Sequence, residues 1–324
     1  IIGVGTRYSD FTTASKTQFK NPDVKFVNIN VTPFDAAKES AEMVVADARE
    51  ALAALTEALA DYHVEAAYSE EITAEKEAWI KATERCYHLD HGPLPAQTEV
   101  FGALNELMGE EDVVINAAGS MPGDLQALWQ ARSPLQYHVE YAFSCMGYEV
   151  PAAMGVKLAR PEAEVVAIVG DGTYQMLPME LATVVQENIK VIYVLLQNYG
   201  FCSIGALSES RGSQRFGTKY RQRGEGSHLA DEQVIDGVDI AVNARSWGLD
   251  VLEVHTIEEF KEAYRKAEAS DRPTMIHIET DLYGPNPPGS SWWDVPVSGV
   301  SELESTQRAY EEYLRDRKPQ RHYL

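Results

Sequence analysis

Hydrophobic runs alternate along the chain with amphipathic stretches, which predicts strands that alternate with helices. Residues 165–169 and 191–196 are hydrophobic throughout, as strands are when helices cover both faces of a parallel sheet. Residues 113–116 and 274–278 are also mostly hydrophobic. Helical periodicity at residues 98–108 predicts a helix before the first of these two runs. The pattern predicts an α/β fold built on a three-layer parallel sheet.

The first part of the chain carries a second, shorter set of elements. Residues 1–4 and 25–31 predict two strands, and an Ala- and Leu-rich helix at residues 46–60 follows them. These elements predict part of a Rossmann-like domain. The predicted boundaries are 1–62 for this part, 63–97 for a helical linker, 98–284 for the parallel-sheet domain and 285–324 for a C-terminal tail.

The chain begins at Ile1, inside a predicted strand and without a lead-in segment. A strand of this kind needs neighbouring strands to satisfy its backbone hydrogen-bonding groups. We therefore expect the chain to be one piece of a longer polypeptide.

Charge and composition narrow the classes of partner. The chain has 28 basic and 50 acidic residues and a net charge of −22, which argues against nucleic acid and anionic membranes as partners. No apolar run reaches the roughly 18 residues that a membrane helix needs. The three cysteines, Cys86, Cys145 and Cys202, show no metal-binding spacing and fit a reducing cytoplasm.

Two polar side chains follow consecutive buried strands. Asp171 comes directly after the strand at 165–169, and Asn198 follows the strand at 191–196. Ligands bind at the carboxyl ends of the strands in open parallel sheets. Two side-chain oxygens and a backbone carbonyl leave room for phosphate oxygens and water in the octahedral oxygen shell that Mg²⁺ requires. The sequence therefore predicts a magnesium site, although Gly-Asp-Gly alone is equally common as a simple turn.

The segment from Gly170-Asp171-Gly172 to Asn198 resembles the cofactor-binding motif of thiamine diphosphate (ThDP) enzymes, in particular those similar to acetolactate synthase. Gln197 stands where the family commonly has the first of two asparagines. The family's metal-binding asparagine is the second one, so the difference does not affect the ligand. The resemblance implies that Asp171, Asn198 and the carbonyl of Gly200 bind Mg²⁺, which in turn holds the diphosphate.

Other segments resemble the family's cofactor contacts. Met146 resembles the wedge that bends ThDP, although a core methionine is the commoner role for such a residue. The cofactor-binding residues that the resemblance implies are Gly119, Ser120, Met121, Cys145, Met146, Gly170, Gly172, Thr173, Cys202 and Ser203. The family's activating glutamate lies on a separate pyrimidine-binding domain, and no segment of this chain resembles that domain.

Within the family, several stretches are similar to members that open a trihydroxycyclohexane-1,2-dione in myo-inositol breakdown, among them residues 118–126, 137–149, 216–221 and 291–295. This similarity implies ThDP- and Mg²⁺-dependent hydrolysis of a C–C bond in a polyol-derived cyclic dione. Its further implication is a homodimer or homotetramer, or a separate chain that supplies the pyrimidine-binding domain.

The catalytic assignments keep alternatives open. His138 and Glu140 precede the segment expected beside the pyrimidine, and are candidates for handling substrate or water. They are equally compatible with satisfied polar residues at a strand end. The alternative functions are an acetolactate synthase-like carboligase or 2-oxo acid decarboxylase, and a ThDP-binding subunit that is inactive without its pyrimidine-binding domain.

Overall fold

The computed structural model describes residues 1–140, 143–221, 238–285, 287, 289 and 291–321. The chain forms two compact units. The first comprises the described residues of Ile1–Glu75, Arg211–Ser213 and Gly289–Leu324. The second comprises those of Lys76–Ser210 and Gln214–Pro288.

Strands and helices alternate through most of the chain. The strands are β1 (Ile2–Val4), β2 (Val27–Asn30), β3 (Glu42–Val45), β4 (Val113–Asn116), β5 (Tyr137–Val139), β6 (Val165–Gly170), β7 (Ile192–Gln197), β8 (Asp250–Val254) and β9 (Thr274–Glu279). The helices are α1 (Asp10–Thr13), α2 (Pro33–Ala36), α3 (Ala48–Ala58), α4 (Ala66–Tyr87), α5 (Gln97–Leu107), α6 (Ser120–Leu128), α7 (Glu149–Ala159), α8 (Asp171–Met176), α9 (Glu180–Gln186), α10 (Cys202–Ser210), α11 (Ile240–Trp247), α12 (Ile257–Ala269) and α13 (Glu304–Asp316), with a short 3₁₀ turn at Lys38–Ser40.

The first unit contains a three-stranded parallel sheet in the order β1-β2-β3. Its C-terminal segment is held to the N-terminal segment through Asp294. The Asp294 amide donates to Ser15 Oγ at 2.9 Å, and its carboxylate accepts from Tyr313 Oη at 2.8 Å and from Gln320 Nε2 at 2.7 Å. Residues predicted to form a separate tail therefore pack with the N-terminal segment in one unit.

The tryptophans of this segment also have partners inside the first unit. Trp293 packs against Phe11 with ring centroids 5.4 Å apart, and Trp292 stacks on Tyr313 at 6.4 Å. These ring contacts stabilise the packing of the C-terminal segment within the first unit.

The second unit is built on a six-stranded sheet in the order β5-β4-β6-β7-β9-β8, in which every neighbouring pair is parallel. Alternate residues of the central strands point to opposite faces. Val166 and Ile168 belong to a core with α5, α6 and α12, whereas Val165 and Ala167 belong to a core with α7, α9 and α11. The predicted three-layer α/β arrangement is confirmed.

The order of the strands fixes where a ligand site should form. After β4 the chain passes to β5 on one side, and then returns to β6 on the other side of β4. A reversal of this kind opens a crevice beyond the carboxyl ends of the two strands. The segments that follow β4 and β6, beginning at Ala117 and Asp171, border this crevice.

Several predicted elements need correction. The sequence analysis missed β3, β5 and β8, and placed the start of a helix at residue 46, which in the structure directly follows the end of β3. The side chain of Asp47 accepts hydrogen bonds from the amides of Arg49 and Glu50, which places the first turn of α3 after it. Helix α6 begins at Ser120, so Gly123 lies inside it.

In the part of the chain that the structure describes, none of the helices combines the length and the apolar character that crossing a membrane requires.

Tyr193 and Tyr87 provide a matched test of core packing in the second unit. Tyr193 is fully buried, and its hydroxyl has no hydrogen-bond partner among the described residues. The hydroxyl of Tyr87, also buried, donates to the Leu128 carbonyl at 2.6 Å. We expect Tyr193→Phe to maintain or raise the free energy of unfolding, by up to about 1 kcal/mol, and Tyr87→Phe to lower it by about 1–2 kcal/mol. Urea unfolding of both variants checks this, and an equal loss in both would contradict it.

Candidate cofactor and metal site

Asp171 links the carboxyl ends of two neighbouring strands. It follows β6 directly, and its side chain is buried. The amides of Asn198 and Tyr199, just beyond β7, donate to its Oδ2 at 3.1 and 2.6 Å, and the Gly172 amide donates to its Oδ1 at 2.7 Å. These hydrogen bonds fix the carboxylate against the turn that follows β7.

Burial controls the acidity of this carboxyl. Loss of solvent raises the pKa of Asp171 to about 6, although the backbone amides of Asn198, Tyr199, Gly172 and Gly200 act in the opposite direction. A bound cation would favour the charged form of such a buried carboxyl, because it compensates the charge that water cannot reach.

Asn198 supplies a second oxygen at the same place. Its side-chain Oδ1 is buried and has no hydrogen-bond partner among the described residues. An amide oxygen without a partner is costly inside a protein unless a ligand or water compensates it. An Mg²⁺ ion bound by Asp171 would provide that compensation, so the residues at this position fit the predicted metal site.

The backbone around Gly200 is held tightly. Phe201 N–H donates to the Thr218 carbonyl at 2.7 Å, and Tyr220 N–H donates to the Tyr199 carbonyl at 2.8 Å. A Cβ on Gly200 would lie 2.4 Å from the Thr218 oxygen, so only glycine permits this approach of the two chains. The carbonyl predicted as the third ligand therefore belongs to a constrained turn.

Among the described residues, no group of three or more His, Cys, Asp or Glu side chains has the arrangement of a metal centre. The predicted ligand set has only one such residue, Asp171, together with an amide and a carbonyl oxygen. Oxygen donors of this kind suit Mg²⁺ rather than a transition metal.

The loop after β4 is supported from α5. Gly119 has a φ of 105°, which favours glycine, and Ser120 begins α6. Gln97 accepts a long hydrogen bond from the Ser120 hydroxyl (3.4 Å) and donates to the carboxylate of Asp124. The predicted contact residue Met121 is buried, and its Cε would lie 3.2 Å from a Cβ on Gly170. The segments after β4 and β6 are therefore adjacent.

The loop before α7 lies against α8. Cys145 is exposed and Met146 is half-buried, whereas Gly147 is buried with a φ of 91°. The Gly147 amide donates to Thr173 Oγ1 at 2.6 Å. The structure thus brings two predicted cofactor segments together, 145–146 and 170–173. The role of Met146 as a wedge remains a prediction.

Cys202 and Ser203 begin α10, just beyond the constrained turn. Both side chains are half-buried, and Cys202 Sγ donates to the Leu282 carbonyl at 3.5 Å. Burial raises the pKa of the Cys202 thiol to about 12, so this group stays protonated near neutral pH.

His138 and Glu140 already have hydrogen-bond partners. His138 lies in β5, and its Nε2 is 2.6 Å from the Tyr148 hydroxyl, with the two rings stacked. Glu140 accepts from the amides of Phe143 at 3.1 Å and Cys145 at 2.8 Å. These contacts give both residues a structural role at the end of β5, and Glu140 organises the loop that carries Cys145 and Met146.

A cavity of about 290 Å³ lies beside Asp171. It is lined by Asp171, Gln175, Gln197, Tyr199, Lys219, Tyr220, Arg221, Val238 and Ile240. Within the described ranges, neither Lys219 nor Arg221 makes an ion pair with an acidic side chain. Two cationic side chains thus line the cavity next to the predicted metal ligand.

The side-chain oxygen of Gln197, unlike that of its neighbour Asn198, has a hydrogen-bond partner. Its Oε1 lies 2.8 Å from Nε2 of His277, on the adjacent strand β9. Burial lowers the pKa of His277, which favours its neutral form. The glutamine at this position is therefore tied to the sheet.

Sequence reasoning missed several groups that the fold brings to this edge. Gln97 and Asp124 support the loop after β4. The buried hydroxyl of Tyr220 has no partner among the described residues. The side chain of Glu149 contacts that of Thr173. The sequence offered no clear signal for Glu149, because an acidic residue in the first turn of a helix is common.

Comparison with known protein families supports the motif. The family described as thiamine pyrophosphate enzyme, C-terminal TPP binding domain, matches residues 117–278. That range includes the predicted metal ligands Asp171, Asn198 and Gly200.

Curated proteins similar to this chain have a common name. The chain is 40% identical to 3D-(3,5/4)-trihydroxycyclohexane-1,2-dione hydrolase 2 of a Bacillus cereus strain. It is 38% identical to the hydrolase of that name, without the number, from Bacillus anthracis, and 39% identical to that from Bacillus thuringiensis (strain Al Hakam). Each match covers 100% of this chain and 54% of the relative, so the chain spans about half the length of the curated relatives it matches.

Proposed function

Since the chain belongs to the thiamine pyrophosphate enzymes with a C-terminal TPP binding domain, as its motif predicted, we propose that the complete polypeptide is a ThDP- and Mg²⁺-dependent hydrolase. Its proposed substrate is a trihydroxycyclohexane-1,2-dione derived from myo-inositol. The names of relatives that match the whole chain at 38–40% identity support this substrate class. We also propose a cytoplasmic location, supported by three free cysteines.

One observation carries the cofactor assignment. The buried Asp171 carboxylate and the unpartnered Asn198 Oδ1 lie at the carboxyl ends of adjacent strands, next to the constrained turn at Gly200. We infer that these three oxygens bind Mg²⁺, which joins them to the diphosphate. A protein with a net charge of −22 would otherwise repel that anion.

The remaining cofactor contacts follow from this anchor. We infer that the backbone at Gly119 and Ser120 contacts the diphosphate, and that Met146 supports the bent cofactor from the loop before α7. When bound, ThDP supplies the electron sink for cleavage next to a carbonyl carbon. The protein residues position the cofactor and prevent it from binding in other orientations.

The overall reaction balances with water alone. The bond between two adjacent carbonyl carbons breaks, the oxygen of one water molecule completes a carboxylic acid at one carbon, and the other carbon becomes an aldehyde with hydrogen from that water. No external oxidant or reductant is required. His138 and Glu140 remain proposals for handling substrate or water, and Tyr148 forms a hydrogen-bonded pair with His138 at 2.6 Å.

We also propose that the activating glutamate lies outside residues 1–324, on a pyrimidine-binding domain, and that the complete protein is at least a dimer. Both proposals rest on the resemblance to the family. Light scattering of the complete protein tests the second, and a monomer with full activity would contradict it.

The first prediction concerns the metal anchor. In the complete protein, Asp171→Ala and Asp171→Asn should abolish measurable ThDP binding in the presence of Mg²⁺, because the diphosphate loses the cation that offsets its charge. Isothermal titration calorimetry measures this. Asp281→Asn is the control, since Asp281 lies two residues beyond β9 and pairs with His91 at 2.8 Å. Wild-type affinity in both Asp171 variants would refute the proposed site.

The second prediction concerns Met146. Met146→Ala should lower kcat by as much as about 100-fold while changing the affinity for Mg²⁺ and ThDP much less, because the diphosphate anchor stays intact. Met146→Leu, which keeps an apolar side chain of similar size, should retain most of the turnover. If Met146→Ala has normal kcat, the residue only fills space in the fold.

The substrate assignment is tested by product analysis. The complete protein, supplied with ThDP and Mg²⁺, should convert the cyclic dione to a single open-chain aldehyde acid and should leave pyruvate unchanged. Formation of acetolactate or acetaldehyde from pyruvate would instead identify a carboligase or a decarboxylase. Residues 1–324 alone should be inactive in the same assay. Robust turnover by this chain would place the activating carboxylate within it, and Glu140 and Glu149 would become the candidates.

A further inference from the structure

A fully buried glutamate lies between the segments that the proposed function assigns to the cofactor. Glu149 is the first residue of α7 and has no solvent-exposed surface. Burying a carboxyl group is costly, and an apolar side chain of similar size would fill this space at lower cost. Packing alone therefore does not explain a carboxylate at this position.

Thr173 connects Glu149 to the loop before α7. The Thr173 hydroxyl donates to Glu149 Oε2 at 2.9 Å, and it accepts a hydrogen bond from the Gly147 amide at 2.6 Å. Because the Thr173 hydroxyl donates its hydrogen to Glu149 in a hydrogen bond, the Thr173 oxygen is left to accept from the Gly147 amide. The carboxylate thus fixes the direction of both hydrogen bonds.

Gly147 is also held from its other side. Its φ is 91°, and a Cβ at this position would lie 2.6 Å from Leu177 Cβ, just beyond the end of α8. The loop that carries Cys145 and Met146 therefore contacts α8 near both ends of that helix. Gly147 is hydrogen-bonded to Thr173 and packs against Leu177.

The same carboxyl reaches the loop after β4. The backbone at Ala118 and Gly147 lies close enough to this carboxyl to lower the pKa of Glu149, although burial raises it by more. Ala118 directly precedes Gly119 and Ser120. A single side chain thus lies next to, directly or through Thr173, three of the segments that the proposed function assigns to the cofactor.

We propose that Glu149 is a positioning residue for ThDP, which holds the loop after β4, the loop before α7 and the start of α8 in one arrangement. The inference rests on the proposed function, because that function assigns these segments to the cofactor. Glu149 acts through Thr173 and the loop backbones, and it has no direct role at the reacting atoms.

The test compares four variants of the complete protein by calorimetric titration with ThDP at saturating Mg²⁺. Glu149→Gln should weaken ThDP binding by about 10–100-fold, the usual effect of removing a group that orients ligands. Glutamine has a neutral acceptor oxygen in place of the carboxylate, which weakens the hydrogen bond from the Thr173 hydroxyl. Thr173→Val should have a similar effect, and Thr173→Ser should restore most of the affinity that Thr173→Val loses. The double variant Glu149→Gln/Thr173→Val should be little worse than either single variant, because the two residues act as one unit.

Glu164→Gln is the matched control. Glu164 is a largely buried carboxylate of the same unit, paired with Lys190 at 2.6 Å, and it directly precedes β6 at the opposite end of that strand from Asp171. This variant should lose thermal stability and keep its ThDP affinity.

The outcomes separate this inference from the proposed function. Normal ThDP affinity in Glu149→Gln and Thr173→Val, or fully additive losses in the double variant, would overturn the positioning role. If Glu149→Gln fails to fold, Glu149→Asp, which keeps the charge but shortens the side chain, takes its place in the titration, and normal ThDP affinity in that variant would overturn the positioning role. Normal ThDP affinity in Asp171→Asn would instead refute the proposed function, whatever the Glu149 variants do.

Discussion

The site depends on the attachment of one strand end to the next through the Asp171 carboxylate. Parallel pairing of β6 with β7 places Gly170 beside Leu196, so the residues that follow both strands emerge at the same edge. The carboxylate then accepts two amides from the turn after β7 and one from α8. A shift of either strand would break these hydrogen bonds and separate Asp171 from Asn198. The register of the sheet and the geometry of the site are therefore a single constraint.

That constraint has an electrostatic consequence. The fold buries Asp171, and it leaves Asn198 Oδ1 buried without a partner in the described part of the chain. Both are unfavourable for the protein alone, because burial penalises a charge and an unpaired acceptor. A divalent cation bound by the two residues would make both favourable. Stability is thus given up at the point where a ligand can restore it, which is a common property of functional sites.

The central part of the fold could be predicted from the sequence, because β6 and β7 are buried on both faces and their sequences are continuous hydrophobic runs. The missed strands share a different property. β3, β5 and β8 each lie at an edge of a sheet and are only partly buried. An edge strand has fewer buried positions, so β8, for example, mixes Asp250 and Glu253 with its apolar residues and loses the signal on which the prediction relied.

The candidate site divides in the same way. Asp171 and Asn198 are recognisable because each directly follows a strong strand signal, and the spacing of the two strands matches a known motif. Gln97, Glu149 and Thr173 act through contacts between segments that are 23 to 27 residues apart, and no local pattern encodes such contacts. Only the folded chain shows which of its polar residues meet.

The two kinds of residue have complementary physical roles. In the proposed site, Asp171 and Asn198 would present oxygens to the cation, which would compensate the cost of burying them. Glu149 is fully buried and Asp124 half-buried, and in both carboxyls burial raises the pKa, to about 6 for Asp124. Their described hydrogen bonds run to other parts of the protein, namely Thr173 for Glu149 and Gln97 for Asp124. The first pair accounts for why a cation should bind at this edge of the sheet. The second pair accounts for why loops, which are ordinarily mobile segments, could hold a cofactor in a fixed position there, since their hydrogen bonds join α5 to α6 and α7 to α8, the helices that adjoin these loops.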